Sequence, residues 1–423
     1  MRRETTFRRV ALAATAGLVA LLLAACTSAS GSSDLPPQQS GGFSADISKR
    51  LTTALTDAMT LADASAGFAG VWAPWAGSWT TAEGTTTRGG STPASVDMTF
   101  RIGENTTPMT CTVLLELVDE GRVDLDDPLT KWVPGLVGAE GVTLRELCQN
   151  TSGIGDYAAA LRTNFVMNPT RQWPPLELAS DGIAMQRYGN PGEKYGASAT
   201  NAVLVGMALQ NATSRSWQQL YKQYVFDKLG MNASSLPASD QFTVPGKHAT
   251  GYAAGLDGAG ATVCAPMRQI DRLSPSQGWT SGGVVSTVSD LKAFGQSLAS
   301  GGLLSEKSRK SQVDAVVNGE SWQRYGLGVQ LLGPLRGSSG AVPGYVSAVF
   351  ADPASGLTIV VALNNSTPGA IFARLLAQRL ASIVSKVPPA QKGAKTIATL
   401  PWSEQQTIDA LAKAAPCPAK KAG

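Results

Sequence analysis

The sequence predicts an α/β fold of the α+β kind, an antiparallel sheet built from strands near both ends of the chain, flanked by helices, with a helical lobe inserted between. Three observations predict it. Near the start, "AGFAGVWAPWAGSWTTAEGTTTRGG" is aromatic-rich and bounded by glycines, which suits a hairpin. Near the end, "YVSAVFADPASGLTIVVALNN" reads as two strands joined by a Pro/Ser/Gly turn. Between them, from about 124 to 240, the chain is a series of helical runs broken by Pro and Gly.

Each element has its own signal. "SKRLTTALTDAMTLADA" has helical spacing ahead of the hairpin. Met109, Val113, Leu114, Leu117 and Val118 put an apolar stripe on one helical face, and Gly121 supplies a C-terminal stop. "STVSDLKAF" reads as a helix start with Thr287 as N-cap and Asp290 closing a capping box. "IFARLLAQRLASIVSK" is an amphipathic helix, after which the chain from Val387 turns rich in Pro, Ala and Lys. One stretch there, "WSEQQTIDALAKAA", is amphipathic enough to dock. No internal repeat is visible, and the length allows one large domain or two lobes sharing a cleft. The expected organisation is a leader at 1–25, a tether at 26–45, a folded domain at 46–388, and a tail at 389–423 with a short helix.

The leader is read from a basic start and an apolar run. Arg2, Arg3, Arg8 and Arg9 precede Val10 to Ala25, a stretch of 16 residues that is short for a membrane span. It ends in Leu23-Ala24-Ala25-Cys26, which resembles a bacterial lipobox. The expectation is export, lipidation at Cys26, and anchoring to the outer face of the cell membrane through palmitate-type acyl chains, for which dual acylation suffices. An ordinary signal peptide with a chance cysteine is the alternative, and Arg8-Arg9 also permits twin-arginine export. The formal charge of +4 is mostly leader, because beyond residue 25 the chain carries 31 basic and 30 acidic side chains. Such balance argues against a nucleic-acid partner. Four cysteines follow Cys26, allowing two disulfides in three pairings, and their spacing matches no metal site. With His248 the only histidine, no metal and no cofactor is expected.

A further set of patterns occurs in a fixed order: "FRIG" before a helix, "LLELVDEGRVDLDDPLTKWVPGL", "VTLRELCQNTSGIGDY", "GNPGEKYGASATNAVLVGMAL", "GWTSGGVVSTVSDLKAFGQSLASGGLLS" and "GSSGAVPGYVSAVF". In this order the chain resembles the class C β-lactamase-like serine hydrolases, which include penicillin-binding proteins, D-alanyl-D-alanine carboxypeptidases and related esterases. The resemblance covers roughly residues 46 to 386. It implies a five-stranded sheet with helices on both sides, a helical lobe, and a cleft between them. It also places the helical segments holding Cys111 and Cys148 side by side, which makes these two the preferred disulfide pair.

The family's chemistry needs three constellations. A serine at a helix start has a lysine one turn on to take its proton. A tyrosine and an asparagine two residues apart relay protons and bind the substrate amide. A strand motif opens with a lysine or histidine, closes with glycine, and supplies one N–H of the oxyanion hole. Carried onto "FRIGENTTP", the serine position is Glu104 and the lysine position Thr107. "PGEKYGASATNAVLVG" puts Ala197-Ser198-Ala199 where tyrosine and asparagine are needed, and "RGSSGAVPGY" puts Ser338-Ser339-Gly340 in the strand motif, with Ala341 next. Five side chains are replaced while the flanks remain legible.

Other residues are weak substitutes. The Ser-x-x-Lys at Ser289–Lys292 belongs to the helix start already described, with Lys292 on a surface helix. Thr106 and Thr107 are hydroxyls without an adjacent lysine, and Tyr195 reads as a loop aromatic. Asn150 and the turn Thr151-Ser152-Gly153 read as packing, and His248 as a loop residue. Pro108 suits a first helical position, with Thr107 as N-cap, so the helix is expected to begin near 108. Glu104 is expected to stay ionised at the helix start and to fill the anion-binding end of the pocket; Ser198, Ser338 and Ser339 remain able to bond a ligand. With the resemblance, these residues lead to the expectation of a non-catalytic envelope lipoprotein that binds a peptidoglycan stem peptide or an envelope partner. Its rivals are a working hydrolase that uses non-standard residues and a purely structural envelope protein.

Overall fold

The computed structural model describes residues 35–257 and 260–417, so the leader and Cys26 lie outside the described residues. The strands are β1 (Ala66–Ala73), β2 (Gly77–Gly84), β3 (Phe100–Arg101), β4 (Tyr252–Leu256), β5 (Thr262–Gln269), β6 (Val285–Ser286), β7 (Val316–Val317), β8 (Gln323–Tyr325), β9 (Gln330–Leu332), β10 (Leu335–Val342), β11 (Tyr345–Ala351) and β12 (Thr358–Leu363). The helices that position the site or hold the sheet are α1 (Ala45–Ala62), α2 (Thr106–Asp119), α3 (Ala199–Thr213), α4 (Val288–Ser300), α5 (Gly369–Val384) and α6 (Glu404–Ala414).

The expected N-terminal hairpin is β1–β2, and β1 pairs antiparallel with β12, from Gly67 opposite Leu363 to Trp72 opposite Thr358. That pairing joins the two ends of the chain in one sheet. Its strand order is β2-β1-β12-β11-β10-β9-β8-β7, every neighbouring pair antiparallel. The sheet thus has eight strands where five were expected. The five wide ones are β2, β1, β12, β11 and β10; the other three have two or three residues each, too few to show an alternation that sequence could reveal.

Side-chain alternation assigns the two faces. Along β12, Ile359, Val361 and Leu363 pack with Leu55 of α1 and Leu376 and Leu380 of α5, whereas Val360 and Ala362 face the core shared with α4 and the helical lobe. Burying both faces explains why the C-terminal strands read as nearly continuous apolar runs. α1 follows its predicted spacing: Leu51, Ala54, Leu55, Ala58 and Ala62 are buried, Ser44 caps the N-terminus by accepting from the Ile47 amide, and Asp63 closes the helix in the left-handed region. α2 is more deeply set than a one-face stripe predicts. Met109, Cys111, Val113, Leu114, Leu115 and Leu117 are all buried, so the helix is enclosed nearly all round between sheet and lobe.

α4 begins as read, with Thr287 accepting from the Asp290 amide at 3.2 Å. The box is not closed, however. The Asp290 carboxylate accepts instead from the Ala233 amide and the Ser234 hydroxyl, at 2.9 and 2.8 Å. Lys292 is half-buried rather than projecting, its Nζ 4.8 Å from the centre of the Trp72 ring. The segment read as a tail also packs, since Trp402 meets Trp322 at 5.2 Å between ring centres and α6 lies against α5. Disulfides join Cys111 to Cys148 and Cys264 to Cys417.

Candidate functional site

The site forms where the turn after β3 meets β10. Gly103 has φ +55°, and a Cβ there would press on the backbone of Ala341. A Cβ on Gly340 would in turn press on backbone atoms of Ile102, Glu104 and Asn105. Glycine on both sides lets two backbones touch. Asn105 fastens the turn, its Nδ2 donating to the Ser347 hydroxyl at 2.8 Å and to the Ser347 and Ile102 carbonyls at 3.2 Å each.

The helix does not wait for Pro108. Residues Gly103–Asn105 form a 3₁₀ turn and α2 begins at Thr106, with Asn105 as N-cap and Thr107 already helical. Tertiary bonds override the preference imposed by the proline. Thr106 Oγ1 accepts from the Val284 amide at 3.2 Å, Thr110 donates to the Thr280 carbonyl at 2.6 Å, and Thr107 donates to the Ser281 carbonyl at 3.2 Å. Pro108 falls in the first turn, where its missing N–H would have no intrahelical partner.

Glu104 turns its carboxylate to β10, Oε2 accepting from the Ala341 amide at 2.5 Å. Burial pushes its pKa up to about 7, against the pull of the Ala341 and Glu104 amides, and the charge of Asp156 adds to the rise. A pKa of about 7 leaves Glu104 only part-ionised at neutral pH, short of the ionised state expected from its place at a helix start, because desolvation outweighs the backbone donors. Asp156 is the second carboxylate here and was not singled out in the sequence, although it stands in "TSGIGDY". It caps the helix Tyr157–Ala160, Oδ1 accepting from the amides of Ala158 and Ala199 at 3.1 and 3.0 Å, and burial raises its pKa. An acid immediately before a helix was the available signal.

The other predicted positions are dispersed or occupied. Ala197 is exposed and Ala199 opens α3. Ser198 is buried and donates to the Gly155 carbonyl at 2.8 Å, so its hydroxyl proton is not offered to a ligand as expected. Ser338 and Ser339 are buried, alternating in side along β10, and Ser339 accepts from Gln330 at 3.4 Å. Asn150 caps the helix Leu144–Gln149 in the left-handed region and accepts from Asn201 Nδ2 at 2.8 Å. Tyr195 packs against Tyr325 at 5.3 Å between ring centres. His248 bonds locally to the Gly246 carbonyl at 2.9 Å.

A cleft of about 360 Å³ opens beside this turn. Of the predicted positions, Glu104 and Ala341 line it, joined by Asp156 and an apolar wall that includes Phe165, Val166 and Leu256. Arg162, an exposed residue, also lines it. Neither carboxylate has an ion pair among the described residues.

Comparison with known proteins extends these observations. A sequence model of the family described as beta-lactamase matches residues 58–382. Penicillin-binding protein 4* of Bacillus subtilis (strain 168) is 26% identical over 266 residues, 60% of this chain and 58% of the relative. The D-alanyl-D-alanine-carboxypeptidase/endopeptidase AmpH of Escherichia coli (strain K12) is 31% identical over 169 residues, 37% of this chain and 42% of the relative. The matches thus span 58% and 42% of these curated relatives' own lengths. Among solved structures, a D-stereospecific amidohydrolase from Streptomyces sp. superposes with TM-score 0.67 at 25% identity, covering 76% of this chain and 95% of that one.

Proposed function

The chain belongs to the beta-lactamase family, and from that premise we propose that it uses the family's cleft to bind rather than to transfer acyl groups. It is a lipoprotein anchored through Cys26 at the outer face of the bacterial cell membrane, and it holds a cell-wall peptide. One observation carries the proposal: the carboxylate of Glu104 sits on the Ala341 amide, next to Gly340 on the strand that, by the family resemblance, supplies one N–H of the oxyanion hole. An acyl-enzyme needs that donor free for the developing oxyanion, and needs a hydroxyl with a base beside it. Here the serine position is itself the occupant, and the lysine position is a threonine whose hydroxyl is bonded to the Ser281 carbonyl.

The cleft's size and apolar wall support a role in binding. The names of the penicillin-binding and carboxypeptidase relatives point to peptidoglycan peptides as the ligand class. The full-length chain in mild detergent is expected to form no covalent adduct with a fluorescent penicillin, while peptidoglycan stem peptides raise its Tm without being cleaved. A stoichiometric acyl adduct seen by mass spectrometry would mean a working hydrolase. A Tm unmoved by any stem peptide would leave an envelope partner or a structural role.

A further inference from the structure

We propose that the cleft recognises a primary ammonium group carried on an apolar body, inverting the charge preference of a site built around a lysine. The inference rests on the non-catalytic reading of the same cleft and names the chemical group of the ligand that enters it.

Three observations converge on it. The amide of Ala341, a donor suited to an anion, is already taken by the Glu104 carboxylate. Two carboxylates from separate segments, Glu104 in the turn before α2 and Asp156 at the start of the helix Tyr157–Ala160, line one cavity, and neither has a basic side chain paired with it. The rest of the wall is largely apolar, with Phe165, Val166 and Leu256 among its residues. A cavity with two carboxylates that no basic side chain pairs disfavours an anion and, as they ionise, gains Coulomb energy from a cation at low effective dielectric. A divalent metal fits less well, since among the described residues no group of three or more His, Cys, Asp or Glu side chains is placed to hold one. An alkylammonium needs only one or two acceptors for its head and an apolar wall for its body.

The titratable groups that feel the charge of Glu104 or act on it are Asp156, Tyr157 and Tyr325, and Arg162 is the basic residue lining the cleft. The two tyrosines are held far above their ordinary pKa by burial and stay neutral. An ammonium bound beside Glu104 favours its ionised form, so near neutral pH binding drives a proton from the Glu104 carboxyl to solvent.

Titration calorimetry of the full-length chain with 2-phenylethylamine and, separately, 3-phenylpropanoate decides the question. These probes have equivalent apolar bodies and opposite charges, and neither has a scissile bond, so the outcome is independent of whether the protein acylates a penicillin. The amine is expected to bind in preference to the carboxylate. With Glu104 titrating at about 7, its affinity is expected to fall about tenfold from pH 8 to pH 6. E104Q, which keeps an acceptor for the Ala341 amide, is expected to weaken the amine about tenfold or more; D156N is a second variant, and circular dichroism checks that each is folded. The proposal is overturned if the amine does not bind, if the propanoate binds as well, if E104Q binds the amine like wild type, or if Ca²⁺ binds where the amine does not.

Discussion

At the scale of single residues, Glu104 couples the site to stability through its titration. Its folded-state pKa of about 7 lies above the ordinary 4.5 because burial disfavours the charge. Below the ordinary value both folded and unfolded chains carry the proton, and the residue costs nothing. As pH rises through the window from 4.5 to about 7 the unfolded chain ionises first, so stability falls; above it the loss is complete. The shift bounds that loss at about 3 kcal/mol, and the partial exposure of the side chain at the cleft reduces it. E104Q is therefore expected to be more stable than wild type at pH 8 by about 1–3 kcal/mol, with the gap closing below pH 5. Urea unfolding at the two pH values measures it. A gap that stays constant with pH would mean that the substitution acts by packing, and that Glu104 is not the buried acid described.

At the scale of elements, the backbone contact between the turn Gly103–Asn105 and β10 fixes the site. Gly340→Ala would drive a methyl group onto backbone atoms of Ile102, Glu104 and Asn105, which cannot rotate away as a side chain would. The expected loss is at or above the upper end of the roughly 1–3 kcal/mol typical of overpacking. Gly255→Ala in β4 is the control, since its nearest neighbour would be the Val263 Cβ at 3.8 Å; a change within about 0.5 kcal/mol is expected. Equal chemical-denaturation midpoints for the two variants would refute the clamp. This contact also marks where sequence stops being legible. α1, the β1–β2 hairpin and the β11–β12 pair were readable because periodicity and turn residues are local properties. The start of α2 at Thr106 was not, because the bonds of Asn105, Thr106 and Thr110 that hold it reach residues 170 or more positions away. The convergence of Asp156 on Glu104 was hidden for the same reason: a carboxylate's neighbours across a cleft leave no spacing to read.

At the scale of the whole molecule, the segment after α5 is a strap rather than a loose tail. Trp75 Nε1 donates to the Val387 carbonyl at 3.0 Å, Trp402 Nε1 donates to the Gln378 carbonyl at 3.2 Å, and Arg50 pairs with Glu404 at 2.7 Å as α6 settles beside α5. The chain then reaches Cys417, bonded to Cys264 in β5. An even cysteine count allowed such a bridge, but only the folded path shows that it runs to the β4–β5 hairpin, whose Ala253, Ala254 and Leu256 line the cleft. That hairpin is a separate two-stranded sheet, held at its base by the Tyr252 amide on the Asn364 carbonyl at 2.8 Å. Two-stranded sheets are marginal without support, so the disulfide and the base carry the wall between them. In C264S/C417S, hydrogen exchange is expected to quicken at residues 254–256 and 262–264, far from the base, while β1, β11 and β12 stay protected. α6 should also stay protected, because Leu411 is fully buried and Trp402 remains against Trp322. Should α6 exchange as fast as the hairpin, the covalent bond rather than packing would be what docks it. Unchanged exchange in the hairpin would mean that the cleft wall stands without the strap.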